Sequence, residues 1–425
     1  MSKTPLSADV ASAVAETQSK PVSLGFQLLL SLANTAIWLA IIPLQQFLLP
    51  LQVSAIDPAN KVSTLSLILS VSGITAVIAQ PIVGAMSDRT TSRFGRRRIW
   101  IALGVILSVA VILLIANTHS VIALTVAYSI YGFVMGMVLS PVLAIIPDRV
   151  PVRQRATVSA FVGLAQPLGI VIGSILIAQV IRSIQGSYYA IGAILFVVIA
   201  LFVLFYREPA LTKEETQPFS LREFLAHFFT PLKSSDFRYT WLARFMIILA
   251  QTILVEFMLY YLNDVIHYAR LFPGQANEQG LALFQVINTL SIIISTIVSG
   301  IISDRLQLRK PFIIAASLIM TIALLLLAFV PSWPTVLAVA VIFGLGFGTF
   351  LSSDIALSTQ VLPEVRSQGK DLGIITAANI LPELLFPVIS FVAFGIFHGY
   401  AALFSIAAIA TILGALCIIP IKGVR

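Results

Sequence analysis

Four ionisable side chains interrupt long apolar stretches of this chain: Arg244, Glu256, Asp354 and Glu383. A charge at the centre of a bilayer costs about 2.5–3.5 kcal/mol on insertion scales, so each of them needs a partner or a task. A carboxylate whose burial raises its proton affinity can take up a proton on one side and release it on the other. Asp354 lies ten residues before Glu364, which marks the inner end of its apolar stretch. At about 1.5 Å per helical residue it sits ~15 Å deep, near the midplane. Glu383 lies at a similar depth in the next stretch. Both acids suit proton or solute binding; the alternative is a neutral acid hydrogen-bonded to a neighbouring helix. Glu256 falls in the outer half of its stretch, and Arg244 about one and a half turns from the inner end of the same stretch. A local ion pair or snorkelling to the interface explains these two equally well.

Uncharged polar residues form a second group: Asn34, Trp38, Tyr128, Tyr131, Gln166, Gln251, Asn288 and Asn379. Aromatic faces beside amide hydrogen bonders suit a sugar ring or another polar organic molecule. An isolated amide in a membrane helix serves equally as glue between helices. Tyr188, Tyr189, Trp333 and Tyr400 fall at expected outer helix ends and read as an interfacial belt. Other chemistries find little support. The single Cys417 excludes a disulfide within the chain. The four His are scattered, with no two at metal-ligand spacing. No nucleophile–base constellation and no Gly-x-x-x-x-Gly-Lys phosphate loop occurs. The expectation is a protein that is not an enzyme, with no cofactor and no metal, and not driven by ATP through this chain alone.

The elements that must position these residues follow from composition. Of 425 residues, 58% are hydrophobic and 10% charged, and mean hydropathy is +1.00. Soluble domains run at about 45–50% apolar and ~25% charged, so this composition describes a polytopic membrane protein. Its net charge of +8 reads as loops facing an anionic inner leaflet rather than nucleic acid. A helix needs about 20 mostly apolar residues to cross the hydrocarbon. Twelve such stretches lie near 24–50, 64–86, 99–116, 121–146, 157–180, 188–206, 239–263, 281–302, 311–330, 335–360, 371–397 and 400–420. They lack period-2 alternation, so helices rather than a barrel satisfy their backbone in lipid. The resulting expectation is an all-α membrane protein of twelve transmembrane helices. Residues 1–22 are expected to be a disordered cytoplasmic tail without a cleaved signal peptide. Residues 23–206 and 239–425 form two six-helix bundles, with 207–238 a cytoplasmic loop between them. Placing both termini inside puts nearly all of the 26 Lys and Arg on the inner side. Only Lys61, Arg182 and Arg270 fall outside, and Arg244 lies within a span.

The halves repeat. Gly84-Ala-Met-Ser-Asp88-Arg89, followed by Arg93, Gly95, Arg96, Arg97 and Arg98, closes the second stretch. Gly300-Ile-Ile-Ser-Asp304-Arg305, followed by Arg309 and Lys310, closes the eighth, 216 residues later. Ile146-Pro147-Asp148 and Leu362-Pro363-Glu364 show the same offset. Duplicated halves around a midplane site are the plan of many secondary transporters. In each motif the glycine permits close helix approach, and the acid at the helix end can pair with a basic residue or a helix N-terminus. Such a polar latch can hold the cytoplasmic side shut in one state and break in the other.

GAMSDRTTSRFGRRR (84–98) closely resembles the loop signature of the major facilitator superfamily. Within it, the form is similar to the glycoside–pentoside–hexuronide and sucrose-transporter branch. The stretch from Asp354 through Leu362-Pro363-Glu364 to Gly369-Lys370-Asp371-Leu372-Gly373 is similar to bacterial members of that branch. The resemblance implies two pseudo-symmetric six-helix bundles working by alternating access, with spans one, four, seven and ten lining the cavity. Melibiose-type members carry carboxylates in the second helix; here spans one and two contain no acid. The span-five signature of drug/proton antiporters is represented only by Gln166-Pro167-Leu168-Gly169 and Gly173.

The function expected is proton-coupled symport of a sugar-like or other small polar organic solute. Its partners are that solute, protons and the lipid bilayer, with no nucleic acid. The protein is expected as a monomer in the cell (inner) membrane. Proton-coupled export of a drug or metabolite is one alternative. A non-transporting sensor or lipid scramblase is another, though the central loop is too short for an appended signalling domain.

Overall fold

The computed structural model describes residues 21–92, 94–181, 183–206, 234–306, 308–360, 378–379, 381–382, 385–386, 388–390, 392–397 and 399–421. These form helices joined by short connections, and no strand occurs among the described residues. Span one is Leu24–Ile56, span two Lys61–Arg89, span three Arg98–Ala116 and span four Val121–Arg149. Span five begins as Val152–Gly163 and resumes as Ala165–Ile175; span six is Ile184–Phe205. Span seven is Ser235–Ile266, span eight Asn277–Leu306, span nine Lys310–Phe329, span ten Trp333–Gln360 and span twelve Tyr400–Ile418. Eleven of these helices are long and apolar enough to cross a membrane. The expected span over 371–397 lies largely outside the described residues, although 388–390 and 392–395 are helical.

Local chemistry sets the ends. Ser23 and Ser183 cap spans one and six by accepting from the amides of Phe26 and Gly186. Pro311 opens span nine, where its missing amide costs nothing. Span one stops ahead of Asp57-Pro58. Span seven starts at Ser235, a full turn before the apolar stretch, because Asp236 in the first turn favours the helix N-terminus. Span five breaks at Leu164 because Pro167 has no amide to offer the Gly163 carbonyl. Pro43 similarly precedes a π-helical stretch, Leu44–Leu48. Two further π-helical stretches, Leu176–Val180 and Leu262–Ile266, end spans five and seven. The last terminates at His267, the only non-glycine residue with positive φ (53°) among the described residues.

The 216-residue repeat reappears as geometry. Thr75 Oγ1 of span two donates to the Ser129 carbonyl of span four at 2.7 Å, and Ser295 Oγ of span eight donates to the Leu345 carbonyl of span ten at 2.7 Å. The two acceptors are repeat equivalents. Both pairs of spans meet through glycine: a Cβ on Gly132 would lie 2.8 Å from Ser72 Oγ, and one on Gly348 2.3 Å from the Ile292 carbonyl oxygen. In lipid, where apolar surface gives no preference for one helix over another, such close backbone approach and interhelical hydrogen bonds hold helices together.

Gly348→Ala is expected to destabilise the protein by about 1–3 kcal/mol, because the added methyl meets backbone that cannot yield. Gly163→Ala, whose Cβ meets nothing within 4 Å, is expected to be neutral or to gain up to ~1 kcal/mol of helix propensity. Thermal unfolding of the two purified variants checks the contrast; equal melting temperatures would refute it.

Candidate functional site

Arg244 lies nine residues into span seven, the most enclosed of the candidate spans. Its Nη1 donates to Asp354 Oδ2 of span ten at 2.5 Å, and its Nε donates to Asn379 Oδ1 at 2.9 Å. Asp354 is buried, with 2% of its side chain exposed, while Arg244 keeps 13%. The pair cancels two charges that would each be costly alone, and it ties helices that are distant in sequence. Of the two explanations the sequence allows for Arg244, the ion pair is the one realised. The helix also places it deeper than one and a half turns, since span seven starts earlier than its apolar stretch.

A second polar assembly joins the halves at the end of the molecule remote from the basic loops. Gln45 Nε2 donates to Glu256 Oε1 at 3.0 Å, and Gln285 Nε2 donates to Gln46 Oε1 at 2.5 Å. Tyr260 donates its hydroxyl to the Pro50 carbonyl at 3.0 Å. Lys61 pairs with Asp264 at 2.5 Å and lies 4.9 Å from the centre of the Tyr260 ring. Asp264 also accepts from Tyr400 at 2.6 Å and from Asn263 at 2.8 Å. Gln279 of span eight also approaches the Ala178 carbonyl of span five at 3.5 Å at this end. Gln45, Gln46, Gln285, Lys61 and Asp264 were not singled out by sequence reasoning. The signal available was Gln45-Gln46, two adjacent amides inside an apolar stretch; both fall in the π-helical turn that re-aims them.

The remaining expected residues are dispersed. Asn34 is fully buried and donates to the Leu30 carbonyl of its own helix at 2.9 Å, leaving its Oδ1 without a partner. Trp38 is half-buried. Tyr128 and Tyr131 are neighbours, with ring centroids 5.7 Å apart, and Tyr131 donates to the Ala40 carbonyl at 2.6 Å. Asn288 binds the Ala340 carbonyl at 3.0 Å, an interhelical tie. Gln251 has a buried Oε1 without a partner, and Gln166 is exposed. Glu383 lies outside the described residues. The belt reading fails for Tyr188: it is fully buried and donates to Gln52 Oε1 of span one at 2.9 Å. It faces the bundle, and Gln52 satisfies its hydroxyl there.

At the basic end, Asp148 closing span four pairs with Arg96 and, at 2.5 Å, with Arg97. Arg97 is buried and also donates to the Pro141 carbonyl at 3.3 Å. Gly95 has φ 98°, a conformation open to glycine. Arg98 is half-buried and Arg305 exposed. In the second half Arg309 donates to Ser303 Oγ at 2.7 Å, and Lys310 to the Ile421 carbonyl. The two motif glycines differ: a Cβ on Gly84 would lie 3.1 Å from Ser140 Oγ, whereas one on Gly300 would make ordinary contact at 3.7 Å. Arg93 and Glu364, and the side chains of Asp88, Arg89 and Asp304, lie outside the described residues.

Residues 24–291 and 240–424 match the family model described as Major Facilitator Superfamily. Among solved structures the chain is similar to a bacterial homolog of the human lysosomal transporter Spinster, in an inward-facing and occupied conformation. That likeness has a TM-score of 0.67 and 16% identity, and covers 95% of each chain. It is also similar to a POT family transporter in complex with a thioalcohol-conjugated peptide: TM-score 0.73, 15% identity, 93% of this chain and 95% of that one. At these identities the likeness is one of fold. No curated protein matches the sequence.

Removing one partner of the buried pair leaves the other charge uncompensated. Arg244→Ala and Asp354→Ala are each expected to destabilise by about 3–5 kcal/mol. The double variant Arg244→Met/Asp354→Leu is expected to cost far less than the sum of the two. Strictly additive losses in a thermal-unfolding cycle would show that the two groups do not act as a pair.

Proposed function

This chain belongs to the Major Facilitator Superfamily, and on that premise we propose that it is a secondary transporter whose two halves rock about a midplane site, moving a small polar organic solute together with a proton. The observation that carries this reading is the buried Arg244–Asp354–Asn379 cluster. Ionisable residues inside a membrane bundle mark solute pathways and proton relays, and Asp354 is a carboxyl at midplane depth that can exchange its arginine for a proton. Resemblance of the 84–98 motif to the sugar-transporting branch supports a hydroxylated solute.

The basic loops, by the positive-inside rule, face the cytoplasm of a cell (inner) membrane, with both termini on that side. On this reading the end where Gln45, Gln46 and Lys61 meet Glu256, Gln285 and Asp264 is the outer one. Asp148 with Arg96 and Arg97 braces the first half at the cytoplasmic end. We place Glu256 at the outer seal, where opening would part it from Gln45. A single chain contains the complete pathway, so a monomer suffices.

Two experiments test this. In proteoliposomes, with a solute chosen by a thermal-shift screen over sugars, glycosides and common metabolites, Asp354→Asn is expected to abolish pH-driven accumulation while keeping downhill exchange. Unchanged accumulation would remove Asp354 from the coupling role. For orientation, single cysteines replace the exposed Arg270 and Arg305 in a chain lacking Cys417. An impermeant maleimide added to intact cells is expected to label position 270 alone; labelling of 305 instead would invert the topology.

A further inference from the structure

We propose that the solute is an organic monocarboxylate, and that Arg244 is the group that holds its carboxylate. The inference rests on the reading of the Arg244–Asp354 cluster as the coupling site and names the substrate class it takes. Of the two partners of the ion pair, Arg244 is the more accessible. Asp354 keeps 2% of its side-chain exposure and Arg244 keeps 13%. A molecule arriving from water therefore meets the guanidinium before it meets the carboxylate. A cationic solute would have to reach past Arg244 to a carboxylate already occupied by it.

The donors that remain on the cluster point the same way. A guanidinium binds a carboxylate through two parallel N–H groups, along its Nε/Nη2 edge or its Nη1/Nη2 edge. Nη1 is committed to Asp354 and Nε to the Asn379 amide oxygen. Nη2 holds no protein partner among the described residues, so each edge retains one N–H. Asn379 accepts through its oxygen and so keeps its amide N–H groups as donors. Among the spanning stretches of the sequence Arg244 is the one cation. An incoming carboxylate completes the Nε/Nη2 fork by displacing a neutral amide oxygen, an exchange of a weak acceptor for a charge-assisted one.

Charge balance then sets the proton. Before binding, Arg244 and Asp354 sum to zero; adding a monocarboxylate leaves one uncompensated negative charge in a buried site. One proton, taken from water on the open side and bound to the Asp354 carboxyl, restores zero, and is returned on the far side when the solute leaves. The neighbours supply no other cation. Span seven brings Arg244; the titratable groups of span twelve are Tyr400 and Cys417. Spans eight and nine carry no titratable side chain between residues 279 and 303 or 311 and 329, and the expected span eleven carries Asp371 at its start and Glu383 further in. A neutral sugar with the same proton would leave a net positive charge, and a doubly charged phosphate ester a net negative one. Solute and proton therefore move together without net charge.

The test uses the full chain at fixed pH and ionic strength, with no gradient. Thermal shift is read for sodium gluconate, lactate and benzoate against their uncharged counterparts glucitol, propane-1,2-diol and benzyl alcohol. The expected result is stabilisation by at least one carboxylate and at least tenfold weaker binding of its neutral counterpart. Arg244→Gln should lose that binding and Arg244→Lys should weaken it. Asp354→Asn, which keeps Arg244 and removes its competitor, should bind the carboxylate more tightly; this variant serves if the Arg244 variants fail to fold. Stabilisation by neutral compounds only, no response to any carboxylate, or equal carboxylate affinity in the Asp354→Asn and unaltered proteins would overturn the inference. Failure here is separable from failure of coupled transport. A neutral solute accumulated down a pH gradient removes the carboxylate and keeps the coupling; Arg244-dependent carboxylate binding without pH-driven accumulation does the reverse.

Discussion

Lipid offers no hydrogen bonds, and the rest of the molecule follows from that constraint. Every peptide group in the hydrocarbon must be satisfied within the chain, which leaves helices as the solution for stretches of this composition. The same constraint governs side chains. Ser72, Thr75, Asn288 and Ser295 each find a carbonyl on the facing helix. Polar residues that would be incidental on a soluble surface here decide which helices meet. Glycines at 132 and 348 bring the backbones close enough for these bonds to form. The solution is found twice, with Ser72 and Asn288 and with Gly132 and Gly348 at positions 216 residues apart.

Against that symmetric frame the charges are asymmetric. The midplane acid Asp354 stands where the first half has Val138, and Arg244 has its partners Asp354 and Asn379 in the second half. The first half offers tyrosines and amides at comparable depth: Tyr131 spends its hydroxyl on span one, and Asn34 turns to its own helix. One half thus holds the buried ion pair, and the other presents mostly neutral side chains at comparable depth. The pair itself lies within the second half and does not cross between the halves.

The helices, their number and the repeat were legible because they are properties of composition and spacing. Which side chains meet was legible only in part. Arg244 and Asp354 are 110 residues apart, and whether they touch depends on the rotation of two helices about their axes, which apolar stretches this uniform do not encode. The π-helical turns compound the problem. Each inserts an extra residue into the turn, so the face presented beyond Leu44 or Leu262 cannot be read by counting in steps of 3.6. The direction in which Gln45 and Gln46 point therefore does not follow from helical spacing, whereas Asn288 lies on an uninterrupted helix. Tyr188 misled for a different reason: an aromatic near a helix end fits an interfacial belt, and only packing shows that its ring turns inward to Gln52.

The ties between the halves at the end remote from the basic loops are individually weak. Its ties are amide to amide, amide to carboxylate, hydroxyl to carbonyl, and one partly exposed ion pair between Lys61 and Asp264. A typical net hydrogen bond contributes about 0.5–1.5 kcal/mol, and a partly exposed ion pair about 0–1 kcal/mol. A handful of such ties biases the closed state by a few kcal/mol, within reach of the differential binding energy of a small ligand. Apolar side chains of both halves also pack into one buried cluster, Phe47 and Leu48 with Phe257 and Phe284 among them. The buried pair, Arg244 with Asp354, instead lies within one half. Weak bonds across the interface and a strong one beside it are what a two-state membrane bundle requires if solute binding is to move it.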